Sequence, residues 1–106
     1  MSKKDERAFL SQLQRVMLHV IKWLSLPAKR SRSWVLSIKN GRREMKRLKA
    51  NNPRFTNDFL TNNWERSFQK AKRDAENEMN QKSSVESLTE KQVVEDEYKL
   101  RDNKDS

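Results

Sequence analysis

The chain has 106 residues, 33% of them hydrophobic and 37% charged, with a net charge of +9. That length allows one domain with a thin core, and the absence of cysteine excludes disulfides, thiolate catalysis, zinc ribbons and iron–sulfur clusters. Charge is unevenly placed: residues 1–54 carry a local +12 and residues 55–106 a local −3, a pattern that suits a polyanion or an acidic protein surface as partner.

One glycine, two prolines and a wealth of Lys, Arg, Glu, Gln, Leu and Met favour helix, and no stretch alternates as a strand requires. The expectation is an all-α fold: three main helices in an antiparallel bundle over residues 5–80, then a polar tail over 81–106. Nothing reads as a secretory signal, and the longest apolar segment, 16–26, is too short and interrupted to span a bilayer. The cytoplasm is the expected location.

The first helix is predicted over 5–26. Its apolar residues, from Phe9 and Leu10 to Trp23 and Leu24, sweep an arc of roughly 160°, wide enough to meet two neighbours. Phe9, Leu13, Val16, Val20 and Trp23 are the expected packing and interface residues. Pro27 ends the helix, and a basic turn follows. The second helix runs to about residue 50, with Ser31 or Ser33 as N-cap. Its apolar arc is narrow (Trp34, Ile38, Met45, Leu48), with Gly41 near the centre. Glycine there costs about 1 kcal/mol relative to alanine; close approach of another backbone or a Trp ring explains it, or else it is a tolerated accident. Lys39, Arg42, Arg43, Lys46, Arg47 and Lys49 occupy the remaining face.

Asn51-Asn52-Pro53 stops that helix. The third is predicted from Asn52 as cap and Pro53 at the first helical position to about residue 80, with Trp64, Phe68, Ala71, Ala75 and Met79 as its stripe. Phe55 and Phe59 point away from that stripe on an uninterrupted helix. A bend near Thr61-Asn62-Asn63 is the favoured resolution, a sandwich between two layers the other. In the tail, Ser87 with Glu90 and Thr89 with Gln92 have capping-box spacing, so a short helix is predicted near 88–98, docked by Val93, Val94 and Tyr98. Residues 101–106 are expected to be disordered.

The run Met17-Leu18-His19-Val20-Ile21-Lys22-Trp23, then Pro27, then Arg30-Ser31-Arg32-Ser33-Trp34, resembles the bacterial family known as domain of unknown function 29. In that family a Leu-rich helix ends in a His-x-x-Lys-Trp-like run, followed by a Pro, a basic Arg-Ser-x-Ser-Trp turn and a helix with an Arg-Arg pair, here Arg42-Arg43. Asn52-Pro53, Phe68 with Ala71 and Ala75, and the segment 88–98 extend the match over roughly residues 9–98. The resemblance implies an all-helical fold and no assigned activity. It also implies an additional acidic helical region of some fifty residues before the first helix, so that only the C-terminal two-thirds of the pattern is expected here. With such a region missing, the wide stripe and the basic charge would await a partner, a second copy, or mark a truncated product of marginal stability.

Catalytic chemistry finds little support. His19 is the only histidine, and general acid–base work would need a positioned partner; packing beside Trp23 is the expected role. The carboxylates Asp74 and Glu78 lie one turn apart among Lys70, Lys72 and Arg73, as on a solvated face. No cofactor, metal or small-molecule ligand is expected. Trp23, Trp34 and Trp64 read as core rather than as a stacking platform, and the first helix carries few cations for a membrane-surface role. The basic set Arg30, Arg32, Arg42, Arg43 and Arg47 is the main functional candidate. The expected function is a non-enzymatic interaction module, by self-association or with an acidic protein. The alternative is non-specific nucleic-acid binding by the same residues.

Overall fold

The computed structural model describes residues 3–100; the disorder expected at 101–106 lies outside the described residues. Helix α1 is Lys3–Ser25, with Asp5 and Glu6 in its first turn and Lys22 in its last, each placed to suit the helix dipole. Pro27 opens a 3-10 turn, Pro27–Lys29, that turns the chain. Helix α2 is Arg32–Asn51, capped by Ser31, whose Oγ accepts from the Trp34 backbone N–H.

The next boundary differs from the sequence expectation. Asn52 closes α2, its side chain donating to the Leu48 carbonyl at 3.0 Å, and Pro53 lies in a turn rather than in a helix. Helix α3, Asn57–Met79, is capped by Thr56, whose hydroxyl accepts from Phe59 N–H. No bend interrupts it at Thr61-Asn62-Asn63. For Phe55 the conflict on the helical wheel vanishes because it precedes the helix, whereas Phe59 stays on the first turn of α3, half-buried. Free of helical direction, the Phe55 ring turns inward (2% exposed) and stacks on Phe9 at 4.6 Å, with Phe59 packed against both.

Helix α1 is the middle of the molecule. It packs along both α2 and α3, which barely touch each other. The wide arc thus meets two neighbours, and Leu13, Val16, Met17, Val20 and Ile21 are fully buried. Where α1 crosses α2, a Cβ on residue 41 would sit 2.5 Å from Val16 Cγ2 and 3.5 Å from the Gln12 carbonyl oxygen. Close approach of the Val16 side chain, rather than of another backbone or a Trp ring, is therefore the reason for Gly41.

The segment after α3 belongs to the fold rather than trailing from it. Asn80 ends α3 in the left-handed conformation (φ 56°), as helix C-termini often require. Ser83 N–H then donates to Glu76 Oε2, and Ser83 and Ser25 hydroxyls lie 2.9 Å apart. Leu88, Val93 and Tyr98 are buried, so residues 80–98 form a strap across the gap between α2 and α3. The Thr89–Gln92 capping box is formed in both directions: Thr89 N–H donates to Gln92 Oε1, and Gln92 N–H to Thr89 Oγ1. Yet the helix expected over 88–98 amounts to one π-helical turn, Lys91–Glu95. The cause is competition for carbonyls. Gln92 O accepts from Arg42 Nη2 and from the Tyr98 hydroxyl, and Val93 O accepts from Arg42 Nε. Those oxygens would otherwise carry the helix onward. Val94, expected to dock, is 40% exposed.

Among the described residues no helix is long and apolar enough to cross a membrane.

Candidate polyanion-binding groove

Five arginines were expected to face a partner, and the fold divides them. Arg30 folds back, its Nε donating to the Trp23 carbonyl at 2.9 Å and its guanidinium lying 4.5 Å from the Trp23 ring centroid. Arg42 is the clasp of the strap: it bonds Val93 O at 2.7 Å and Gln92 O at 3.2 Å, with Tyr98 beneath it. Burial draws its guanidinium below the ordinary arginine value, while Tyr98 and Asp96 oppose the shift; an arginine remains charged throughout. Arg47 pairs with Glu44 one turn away. Of these five, only Arg32 and Arg43 are exposed and take part in no ion pair among the described residues.

Geometry assembles a different set around Arg43. Lys39, Lys46 and Lys49 are also exposed, and none takes part in an ion pair among the described residues. Together with Arg43 they edge a groove of about 490 Å³ between α2, the strap and the start of α3. Phe9, Met45, Leu60 and Val94 supply its apolar surface, and Glu90 stands on the strap side. Leu60 and Glu90 are shared with a second depression of about 400 Å³ that reaches Thr61, Trp64 and Glu65. Trp64 is fixed there by its indole N–H, which donates to Leu88 O at 2.8 Å.

The groove was not visible in the sequence because Met45 and Leu60 belong to different helices and Val94 was expected to dock inward. The signal available was the pair Val93-Val94, one side chain inward and one outward.

The five residues expected at packing or interface positions lie elsewhere, in the core of the chain. Phe9, Leu13, Val16, Val20 and Trp23 are each at most 6% exposed, covered by other elements of the same chain. Only Phe9 reaches the groove, from its floor.

His19 is partly buried on α1. Its Nδ1–H donates to the Arg15 carbonyl at 2.8 Å. Burial holds the imidazole below its ordinary value, with Lys22 and Arg15 acting in the same direction and the Arg15 carbonyl and Glu78 opposing. Among the described residues no three His, Asp or Glu side chains converge to hold a metal ion.

Comparison with known proteins agrees with the resemblance noted above. The family model described as "Domain of unknown function DUF29" matches residues 1–102. That span exceeds the 9–98 read from motifs, and a match limited to the C-terminal two-thirds of the family pattern is not borne out. Searches of curated proteins and of solved structures find no match.

Proposed function

The chain belongs to the DUF29 family, and from that premise we propose that it is a non-enzymatic, cytoplasmic binding module whose α2 face receives an acidic polypeptide. The carrying observation is the row Lys39, Arg43, Lys46 and Lys49: four exposed cations without ion-pair partners among the described residues, set beside an apolar groove. Unpaired like charges on one helix face repel mildly, so an acidic partner both neutralises them and is steered toward them. The apolar lining adds surface that such a partner can bury. A helical module with its only imidazole bonded to its own backbone fits binding better than turnover.

Nucleic acid is the second reading, favoured by the spacing of the cations along one helix. A phosphate backbone neutralises them equally well but leaves Met45, Leu60 and Val94 with nothing apolar to meet.

The test is fluorescence anisotropy on the full chain with labelled poly-L-glutamate and a labelled DNA duplex. Salt-sensitive binding of poly-glutamate, lost when Lys39, Arg43, Lys46 and Lys49 are all changed to Glu, is the expected result. Preference for the duplex, with log K falling against log salt by about 0.9 per phosphate engaged, supports the second reading instead. No binding to either removes both.

A further inference from the structure

We infer that the occupant of the groove is one amphipathic acidic helix of a partner protein, laid along α2 with its apolar residues down and its carboxylates toward the cation row. This rests on the reading just given and specifies the form the acidic polypeptide takes.

Register is the first argument. Lys39, Arg43, Lys46 and Lys49 are spaced four, three and three residues apart on α2, so they form one strip about 15 Å long at 1.5 Å per residue. Carboxylates on a neighbouring helix recur with the same period and can face that strip together. Backbone hydrogen bonding is the second. The described walls of the groove offer no strand edge, so an extended peptide would bring its N–H and C=O groups against apolar surface without partners. A helix satisfies its own backbone and presents only side chains.

The strap points the same way. α2 and α3 barely touch, and the channel between them over α1 already takes a segment with Leu88 and Val93 buried and Thr89, Glu90 and Lys91 outward. The groove is the part of that channel the strap leaves open. There Met45, Leu60 and Phe9 are nearly covered while Val94 is not, and a partner's apolar side chains would complete the cover. Glu90 on the strap side repels a carboxylate there. It therefore sets the partner's rotation: acids toward α2, neutral or basic residues toward the strap.

The experiment uses the full chain and three labelled probes. One is a Glu/Leu peptide of about eighteen residues, long enough to hold a helix, with acidic and apolar residues segregated on opposite faces. The second has the same composition permuted so that the faces mix, and the third is poly-L-glutamate. Binding of the segregated peptide about tenfold or more tighter than the permuted one, with a gain of helical circular dichroism, is the expected result. Val94→Ser, at an exposed position, should weaken the segregated peptide severalfold more than it weakens poly-glutamate and leave the melting temperature unchanged. Glu90→Gln should tighten it. Equal affinity for the two peptides overturns the helix-in-groove inference while leaving an acidic partner in place; failure of all three probes to bind overturns both.

Discussion

Gly41 shows how a single residue reports the packing around it. Alanine at this position would gain about 1 kcal/mol in helix propensity. Its Cβ would, however, fall 2.5 Å from Val16 Cγ2, on a β-branched side chain that has one good rotamer in a helix and is fully buried. Overpacking of this kind costs about 1–3 kcal/mol. Gly41→Ala is therefore expected to lower stability in urea denaturation by about 1 kcal/mol net, and to cost less in a Val16→Ala background, where the clash is gone. His19 couples stability to pH. Burial depresses its folded-state pKa from an ordinary value of about 6.5, so the unfolded chain binds the proton more readily. Its contribution to stability is present above about pH 6.5 and is lost as pH falls through the folded pKa. Unfolding free energy measured from pH 7 downward should decline over that interval, and His19→Gln should flatten this part of the decline.

Among the elements, the strap depends on contacts that are few and specific. Arg42 donates to two of its carbonyls from one planar group, a fork that lysine does not reproduce. Hydrogen bonds to a charged group contribute roughly 1.5–3 kcal/mol each in favourable cases, and the carbonyls they leave behind are partly buried. Arg42→Met and Arg42→Lys are both expected to speed hydrogen exchange in residues 88–98, with α1 amides much less affected. Exchange equal to wild type would show that Val93 and Tyr98 hold the strap alone. The aromatic cluster at the other end behaves as a core: Phe55→Ala removes a ring stacked on Phe9 and should cost about 3–5 kcal/mol, read as a lower denaturation midpoint.

For the molecule as a whole, α1 is shared by every other element, and the particle is flat, 48 × 30 × 20 Å. A flat molecule of this size has little core to spare. Deleting residues 81–106 removes the buried side chains of Leu88, Val93 and Tyr98; at about 1.5–3 kcal/mol for each large apolar side chain, the loss is a large fraction of a stability of about 5–15 kcal/mol. It also uncovers Trp23, against which Tyr98 packs edge-on at 5.5 Å. The shortened chain is expected to melt well below the full one and to self-associate in size-exclusion chromatography with light scattering. A stable monomer would mean that the strap is dispensable to the bundle.

Helix identity was legible in the sequence because it depends on local terms: propensity, the 3.6-residue period, Pro27 as a stop, Ser31 as a cap, and the reciprocal Thr89–Gln92 box. The width of the α1 stripe likewise announced two neighbours. Local terms did not say what those neighbours were. The cover for Trp23 and Val20 comes from the chain itself, and the tail supplies part of it, because three apolar residues spread over eleven positions look polar until a surface aligns them. Phe55 was misplaced on a helical wheel since Thr56 and Asn52 both qualify as caps, and only burial against Phe9 and Phe59 chose between them. The basic residues divide for the same reason. In sequence Arg42 and Arg43 are equivalent; in the fold, one rotation of about 100° along the helix turns Arg42 onto the strap carbonyls and leaves Arg43 facing the groove. Charge and helix content were thus set residue by residue, whereas which cations remain available to a partner was decided by the tertiary packing that consumes the others.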